Sequence, residues 1–202
     1  DFIGPFKPKY SLLDTENIIT VGAIDLQDYF FEHKRQAIQA MMDSKNVILK
    51  IGDEFGKKFG RTYKFFDTYK LEDADVVIVA LGSTAGTAKA SVDKLRSEGK
   101  KVGLLKLRLY RPFPKEELLG ALSKVKAVAI MDRSDSMNAE VGPVCTEIKS
   151  ALYEMGKRPH ITNYVYGLGG RDIRIEDIDR VYEDLFVILK EGKIKAELNY
   201  LG

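Results

Sequence analysis

The run from Val76 to Leu107, VVIVALGSTAGTAKASVDKLRSEGKKVGLL and its continuation, constrains the fold more than any other part of the chain. Val76 to Leu81 is an unbroken apolar stretch rich in β-branched residues, the pattern of a strand covered on both faces. Gly82 to Gly86 supply a tight turn, with Ser83 and Thr84 placed to cap a following helix. Ala88, Val92 and Leu95 recur at helical spacing, and Gly99 stands where a helix ends in a left-handed residue. Val102 to Leu107 is a second strand. Two strands joined through a helix run parallel, so the expected class is α/β.

The same alternation continues. Pro114 opens a helix carrying Leu118, Leu119 and Leu122, and Ala127 to Met131 is a third strand. A polar loop of Asp132, Arg133, Ser134, Asp135, Ser136 and Asn138 follows it. Pro143 opens a helix with Val144, Ile148, Ala151, Leu152 and Met155 inward and Gly156 as its stop. Ile161 to Tyr166 is a fourth strand. The loop Gly167 to Asp172, capped by Asp172, leads to a last helix with Ile178, Val181, Leu185 and Ile188 on one face and Gly192 at its end. The architecture expected is three-layer α/β/α, with a mostly parallel open sheet and a fifth strand from either the aromatic connector Tyr63–Tyr69 or the tail.

The first third reads differently. Residues 1 to about 25, with Phe2, Pro5, Phe6, Pro8 and Tyr10, look like an extended arm made to lie on another surface. From about Asp28 to Phe59 the spacing is helical, with Asn46 and Gly52 as candidate breaks and Gly60 as the end. An arm and a long helix without strands make a poor independent core. The division expected is therefore 1–66, an arm and helical segment from the end of a preceding domain, and 67–202, the α/β domain.

Charge and cysteine content narrow the function classes. With 32 Lys and Arg against 30 Asp and Glu, the net charge of +2 gives no electrostatic reason to expect nucleic acid or a membrane surface. No stretch reaches the ~20 apolar residues of a membrane span, and the start lacks a signal-peptide pattern, so the cytoplasm is expected. Cys145 is the only cysteine, and His33 and His160 are the only histidines, so no zinc or iron–sulfur ligand set exists here. Cys145 is expected to be an inert small side chain.

Chemistry is sparse. GSTAGT at Gly82 to Thr87 lacks the P-loop lysine and does not fit G-x-G-x-x-G, and GLGGRD at Gly167 to Asp172 has Asp172 in place of the last glycine. Arg108, Arg111 and Arg133 lie at carboxyl ends of strands, where ligands of open sheets collect, and can either hold an anion or pair with acids such as Glu116, Glu117, Asp132 and Asp135. Asp132 with Asp135 as a magnesium site has no supporting spacing. No catalytic residue emerges. The candidates for ligand or interface contact are Gly82, Ser83, Thr84, Gly86, Arg108, Arg111, Gly169, Gly170 and Arg171.

VVIVALGSTAGTAKASVDKLRSEGKKVGLLKLRLYRPFP, then AVAIMDRS, then YGLGGRDI, resemble in that order the carboxyl-terminal part of the α subunit in the pyruvate:ferredoxin oxidoreductase (2-oxoacid:ferredoxin oxidoreductase) family. The strand–LGS–helix and L-R-x-x-R-P-F-P pieces are also similar to the carboxyl-terminal domain of transketolase-like enzymes. FKPKY and EHKRQAIQAM resemble the segment leading out of the family's thiamine-diphosphate-associated domain. The resemblance implies oxidative decarboxylation of a 2-oxoacid, pyruvate foremost, to acyl-coenzyme A with ferredoxin reduction. It implies thiamine diphosphate, magnesium, iron–sulfur clusters and coenzyme A in the assembled complex, with none bound by this chain alone. It also implies the other oxidoreductase subunits as partners, with ferredoxin met through the complex, and a scaffolding and subunit-contact role for these residues. The alternatives are a free-standing coenzyme A- or nucleotide-binding domain and a non-catalytic adaptor.

Overall fold

The structure, a computed structural model, describes residues 3–22, 24–137 and 140–202. Phe2 of the arm and Asn138 of the polar loop lie outside them. The chain forms two compact units, residues 1–42 and 43–202.

In the first unit, residues 3–22 and 24–26 form neither helix nor strand. Asp14 organises a local turn, its Oδ1 accepting from the Glu16 and Asn17 backbone N–H groups at 3.0 and 3.1 Å. Its carboxyl is held below the usual range by hydrogen bonds from the Asn17 side chain and from the backbone of Asn17 and Glu16. The apolar side chains find no core: Ile3, Phe6, Leu13, Ile18, Ile24 and Phe31 are all exposed, Leu13 at 91%.

Helix α1, Gln27–Phe59, runs 33 residues, about 50 Å at ~1.5 Å per residue. It passes through Asn46 and Gly52 without the expected break. Gly52 has another use, visible in the second unit: a Cβ there would lie 2.0 Å from the Tyr63 carbonyl oxygen, and one on Gly56 would lie 2.2 Å from Thr62 Oγ1. The two glycines form a groove on which the returning chain sits. Gly60 reverses the direction with φ +72°, and Phe55 packs on Phe59 and Tyr63 at ring separations of 4.5 and 5.5 Å.

The sheet of the second unit has six strands: β1 (Phe66–Tyr69), β2 (Val76–Leu81), β3 (Val102–Leu107), β4 (Ala127–Asp132), β5 (His160–Tyr166) and β6 (Leu198–Leu201). Their spatial order is β1-β3-β2-β4-β5-β6, with β1 antiparallel to β3 and every other pairing parallel. The three-layer expectation holds, and both the connector and the tail supply a strand. Both are four-residue edge strands with half-exposed patterns, so neither carries the continuous apolar run that marks an interior strand.

Helices α2 (Thr84–Ser97) and α5 (Ile175–Glu191) cover one face; α3 (Lys115–Leu122) and α4 (Pro143–Leu152) cover the other. Alternation along β2 divides the core. Val76, Ile78 and Ala80 face Val92, Leu95, Val181 and Leu185, while Val77 and Val79 face Leu118, Leu122, Ile148 and Leu152. All are buried, each worth about 1.5–3 kcal/mol for the larger side chains. Across the α2–α5 seam, Asp179 accepts from Ser91 Oγ at 2.5 Å and Lys94 Nζ at 2.7 Å. On the opposite face Lys45 of α1 reaches Glu116 and Glu117 of α3 at 3.0 and 3.1 Å.

Helix ends depart from expectation in three places. Ser83 has helical dihedrals and makes no side-chain cap bond, so it lies within the turn rather than capping α2. Helix α4 stops at Leu152 and unwinds through Met155, well before Gly156. Helix α5 begins at Ile175 and is closed by Asp177, whose Oδ2 accepts from the Arg174 N–H at 3.0 Å; Asp172 is not its cap. Gly99 and Gly192 end α2 and α5 in left-handed conformation, as their positions implied.

The Asp177 carboxyl is held below its ordinary value, first by the Arg174 backbone hydrogen bond. A depressed carboxylate stabilises the fold above its unfolded pKa, and that stabilisation is lost as pH falls through the depressed native value. Asp177→Ala is expected to cost about 1 kcal/mol at neutral pH. Urea unfolding of wild type and variant should give curves that converge on acidification below the native pKa.

Candidate functional site

The chain leaves β2 toward β3 on one side and, after α3, crosses back to β4 on the other. The carboxyl ends of β2 and β4 therefore diverge, the arrangement that leaves a crevice in open parallel sheets. A cleft of ≈ 500 Å³ lies there, walled by Leu81, Tyr110, Met131, Val144 and Tyr166 and edged by Gly82, Ser83, Thr84, Arg133 and Ser134. Gly82 turns the chain at φ +65°, and the Gly86 N–H donates to the Ser83 carbonyl at 2.8 Å.

Asp132, at the end of β4, is 2% exposed. Helix α4 begins after Gly142, which has no side chain to offer its free N–H groups, and Asp132 fills that role from another element. Its oxygens accept from Val144 N at 2.9 Å, Cys145 N at 3.2 Å and Asn163 Nδ2 at 2.9 Å. Asn163, fully buried in β5, also donates to the Ile130 carbonyl at 2.8 Å and accepts from Gly142 N at 2.7 Å. Gly142 is needed for this close approach, since a Cβ on it would lie 2.5 Å from the Asp132 carboxyl. Burial pushes the Asp132 carboxyl above its ordinary value, against the pull of its three N–H donors. A lone acid at a strand end and a lone Asn in ITNYVY were the sequence signals of this network.

Asp135, by contrast, accepts from Tyr200 Oη at 2.8 Å. No group of three or more metal-ligating side chains occurs among the described residues. Cys145 is fully buried, and burial pushes its thiol up to about 12, so it is protonated and unreactive at neutral pH.

The arginines divide into two kinds. Arg108 pairs with Asp67 on β1, Nε to Oδ2 2.9 Å, and lies 4.6 Å from the Tyr63 ring centroid. Arg111 pairs with Glu147 on α4 and stacks on Tyr110 at 4.2 Å. Neither uses the acids the sequence suggested. Arg133 instead donates to the Gly167 carbonyl at 3.4 Å and has no carboxylate partner among the described residues. Gly167, Gly169 and Gly170 all take left-handed conformation around a single 3₁₀ turn, which brings Arg171 to the same edge as Ser83, Thr84 and Thr87. The structure thus gathers Gly82, Ser83, Thr84 and Arg171 at one crevice, and leaves Arg108 and Arg111 in ion pairs beside it.

Asp132→Ala leaves two N–H groups of α4 and one of the two Asn163 amide hydrogens without an acceptor. Since each unsatisfied buried group costs about 1–3 kcal/mol, denaturant unfolding should show a loss of at least about 3 kcal/mol. Asp135→Ala, at an exposed site, should shift the same midpoint little.

The pyruvate:ferredoxin oxidoreductase core domain II family matches residues 74–178. Pyruvate synthase subunit PorA of Thermotoga maritima is 51% identical over 201 residues, covering 100% of this chain and 50% of that protein. Ketoisovalerate oxidoreductase subunit VorA of Pyrococcus horikoshii is 44% identical over 201 residues, covering 99% of this chain and 51% of its own. Among solved structures, 2-oxoglutarate:ferredoxin oxidoreductase from Magnetococcus marinus, with 2-oxoglutarate, coenzyme A and succinyl-CoA bound, aligns at a TM-score of 0.46 and 23% identity, over 65% of this chain and 21% of that one. The chain spans about half the length of the curated relatives it matches. With a family match from the first interior strand into α5 and an identity of 51% over the full chain, this polypeptide belongs to the pyruvate:ferredoxin oxidoreductase family.

Proposed function

We propose that these residues are part of the α subunit of a 2-oxoacid:ferredoxin oxidoreductase, pyruvate being the first substrate to test. Within it they serve as scaffold and subunit contact for the oxidative decarboxylation that yields acyl-coenzyme A and reduced ferredoxin. The observation that carries this reading is the exposed apolar series of the first unit, from Ile3 through Phe6, Leu13 and Ile24 to Phe31. Apolar side chains left outside any core in this number suit packing on another surface. That surface is the part of such a subunit that the 202 residues do not include, because the relatives are about twice as long. Residues 1–66 then continue a preceding thiamine-diphosphate-associated domain, and 67–202 form the transketolase-like α/β domain.

The donor set limits what this chain can hold. An iron–sulfur cluster needs several thiolates, and the single thiol here is buried and protonated. A magnesium ion with thiamine diphosphate takes one or two carboxylates beside the phosphate oxygens, whereas Asp132 is turned to the α4 N–H groups and Asp135 to Tyr200. Among the described residues Cys145, Asp132 and Asp135 do not offer such ligands, and the proposal assigns both groups to other parts of the complex. The work of this chain is to bury surface and exclude water there. Gly82, Ser83, Thr84, Gly86, Gly169, Gly170 and Arg171 form its contact edge, and the ion pairs of Arg108 and Arg111 hold that edge in place. The described helices include none long and apolar enough to cross a membrane; a cytoplasmic location is part of the proposal.

Reconstitution tests the proposal. The chain combined with the remaining subunits and the complementary part of the α subunit should restore ferredoxin reduction that depends on both 2-oxoacid and coenzyme A. Phe6→Asp, Leu13→Asp and Phe31→Asp together should reduce assembly and activity while leaving the melting of residues 43–202 unaltered. Full activity in the triple variant, or none from correctly assembled wild-type partners, would sink the reading.

A further inference from the structure

Strand β6 ends the sheet on the side away from β1, and its outer edge is open. The Asn163 N–H donates to the Glu197 carbonyl at 2.7 Å, and the parallel register sets Asn163 beside Leu198 and Val165 beside Tyr200. Alternate residues of a parallel strand bond to alternate sides. Glu197, Asn199 and Leu201 therefore serve β5, while Leu198 and Tyr200 turn their backbone N–H and C=O groups outward. Those outward groups meet no backbone partner among the described residues.

This edge lacks the devices that keep exposed strands from pairing. Sheet edges are blunted by lysines, prolines or bulges, whereas Leu198–Leu201 reads LNYL, without a charge. The adjoining charge, on Glu197, is matched by Lys149 at 2.6 Å. Tyr200 is 62% exposed, yet its ring is held in place by the hydroxyl, which donates to Asp135 at 2.8 Å. A fixed aromatic side chain beside open backbone groups gives up little conformational freedom when a partner covers it.

We propose that β6 pairs antiparallel with β6 of a second copy of this chain, about a twofold axis at Asn199, so that two sheets become one. In that register Leu198 stands opposite the partner's Tyr200, and Tyr200 opposite the partner's Leu198. The outward groups of each strand then meet those of the other, and each pair exchanges both its N–H···O bonds. The same pairs set an aromatic ring against an aliphatic side chain, a favourable cross-strand combination. Asn199 meets the partner's Asn199, and Glu197 meets the partner's Leu201, so no like charges are opposed.

Charge also separates this edge from the one at β1. There Asp67 faces Lys106 and the Phe65 carbonyl accepts from Arg108, which leaves Phe66 and Thr68 outward. The equivalent twofold would set Asp67 against the partner's Asp67, and like charges directly opposite are destabilising. Pairing β1 of one copy with β6 of the next would leave an edge free at each end and grow without limit. Pairing β6 with itself closes at a dimer. The inference stands on this edge alone and goes beyond the scaffold reading.

Sedimentation equilibrium of the full chain carrying Phe6→Asp, Leu13→Asp and Phe31→Asp tests the pairing, since that background separates it from association through the first unit. A dimer with Kd below about 100 µM is expected. Leu198→Pro, which deletes an N–H that β5 does not use, and Tyr200→Lys should each weaken it at least about tenfold with thermal melting unaltered. If Leu198→Pro lowers the melting temperature, Tyr200→Lys decides. Under mild oxidation Asn199→Cys should give a disulfide-linked dimer, because opposed residues that share no hydrogen bonds lie about 4.5 Å apart between Cα atoms. Leu198→Cys should not, since the same residue of the partner lies on the diagonal at about 7–8 Å, and the buried Cys145 takes no part in either reaction. A monomer at every concentration, or equal cross-linking by both cysteine variants, overturns the proposal.

Discussion

The coverage of β2 on both faces is the constraint from which the second unit follows. Val76 to Ala80 are all fully buried, and a strand in that position must have neighbours on both edges and helices above and below. Parallel partners β3 and β4 supply the edges, and each parallel pairing needs a crossover long enough for a helix. The helices thus arrive as a consequence of the pairing. Two helices fall on each face, and each core half takes one set of alternating side chains from the same strand.

That arrangement also fixes where the polar chemistry collects. Leaving β2 in one direction and returning on its other side opens the sheet at one end only, and the chain places its specialised residues there. The Asp132–Asn163 network is the support beneath the crevice. It stiffens the β4–β5 junction and seats the amino end of α4 with side chains borrowed from the sheet, so the floor of the cleft is held by buried hydrogen bonds. The exposed arm of the first unit represents the opposite condition, apolar surface without a core of its own.

Much of this was legible in the residues. VVIVAL and VGLLKL are strands with the boundaries the apolar runs suggest, because a doubly covered strand has a local signature. The edge strands FDTY and LNYL were not legible as a pair, since a four-residue strand depends on its neighbour for definition. Gly52 looked like a helix break by propensity, yet its missing side chain admits the Tyr63 carbonyl, a long-range fact that overrides the local preference. The candidate site was half visible. Ser83, Thr84 and Arg171 could be named from loop position, whereas the separation of Arg108 and Arg111 from Arg133 rested on Asp67 and Glu147, residues 41 and 36 positions away. The capping of α4 by Asp132 was hidden for the same reason.

The reversed direction of β1 has a topological result. Phe66 pairs with Leu107, the last residue of β3, so the chain approaches the sheet from the end where the parallel strands finish. The Phe65 carbonyl accepts from Arg108 and Leu109 N–H groups at 2.9 Å, tying the incoming segment to that rim. Had the first strand run with its neighbours, residues 60–65 would have been delivered to the rear of the layer. Its opposite sense makes the rim of the crevice also the doorway through which the preceding polypeptide joins the domain.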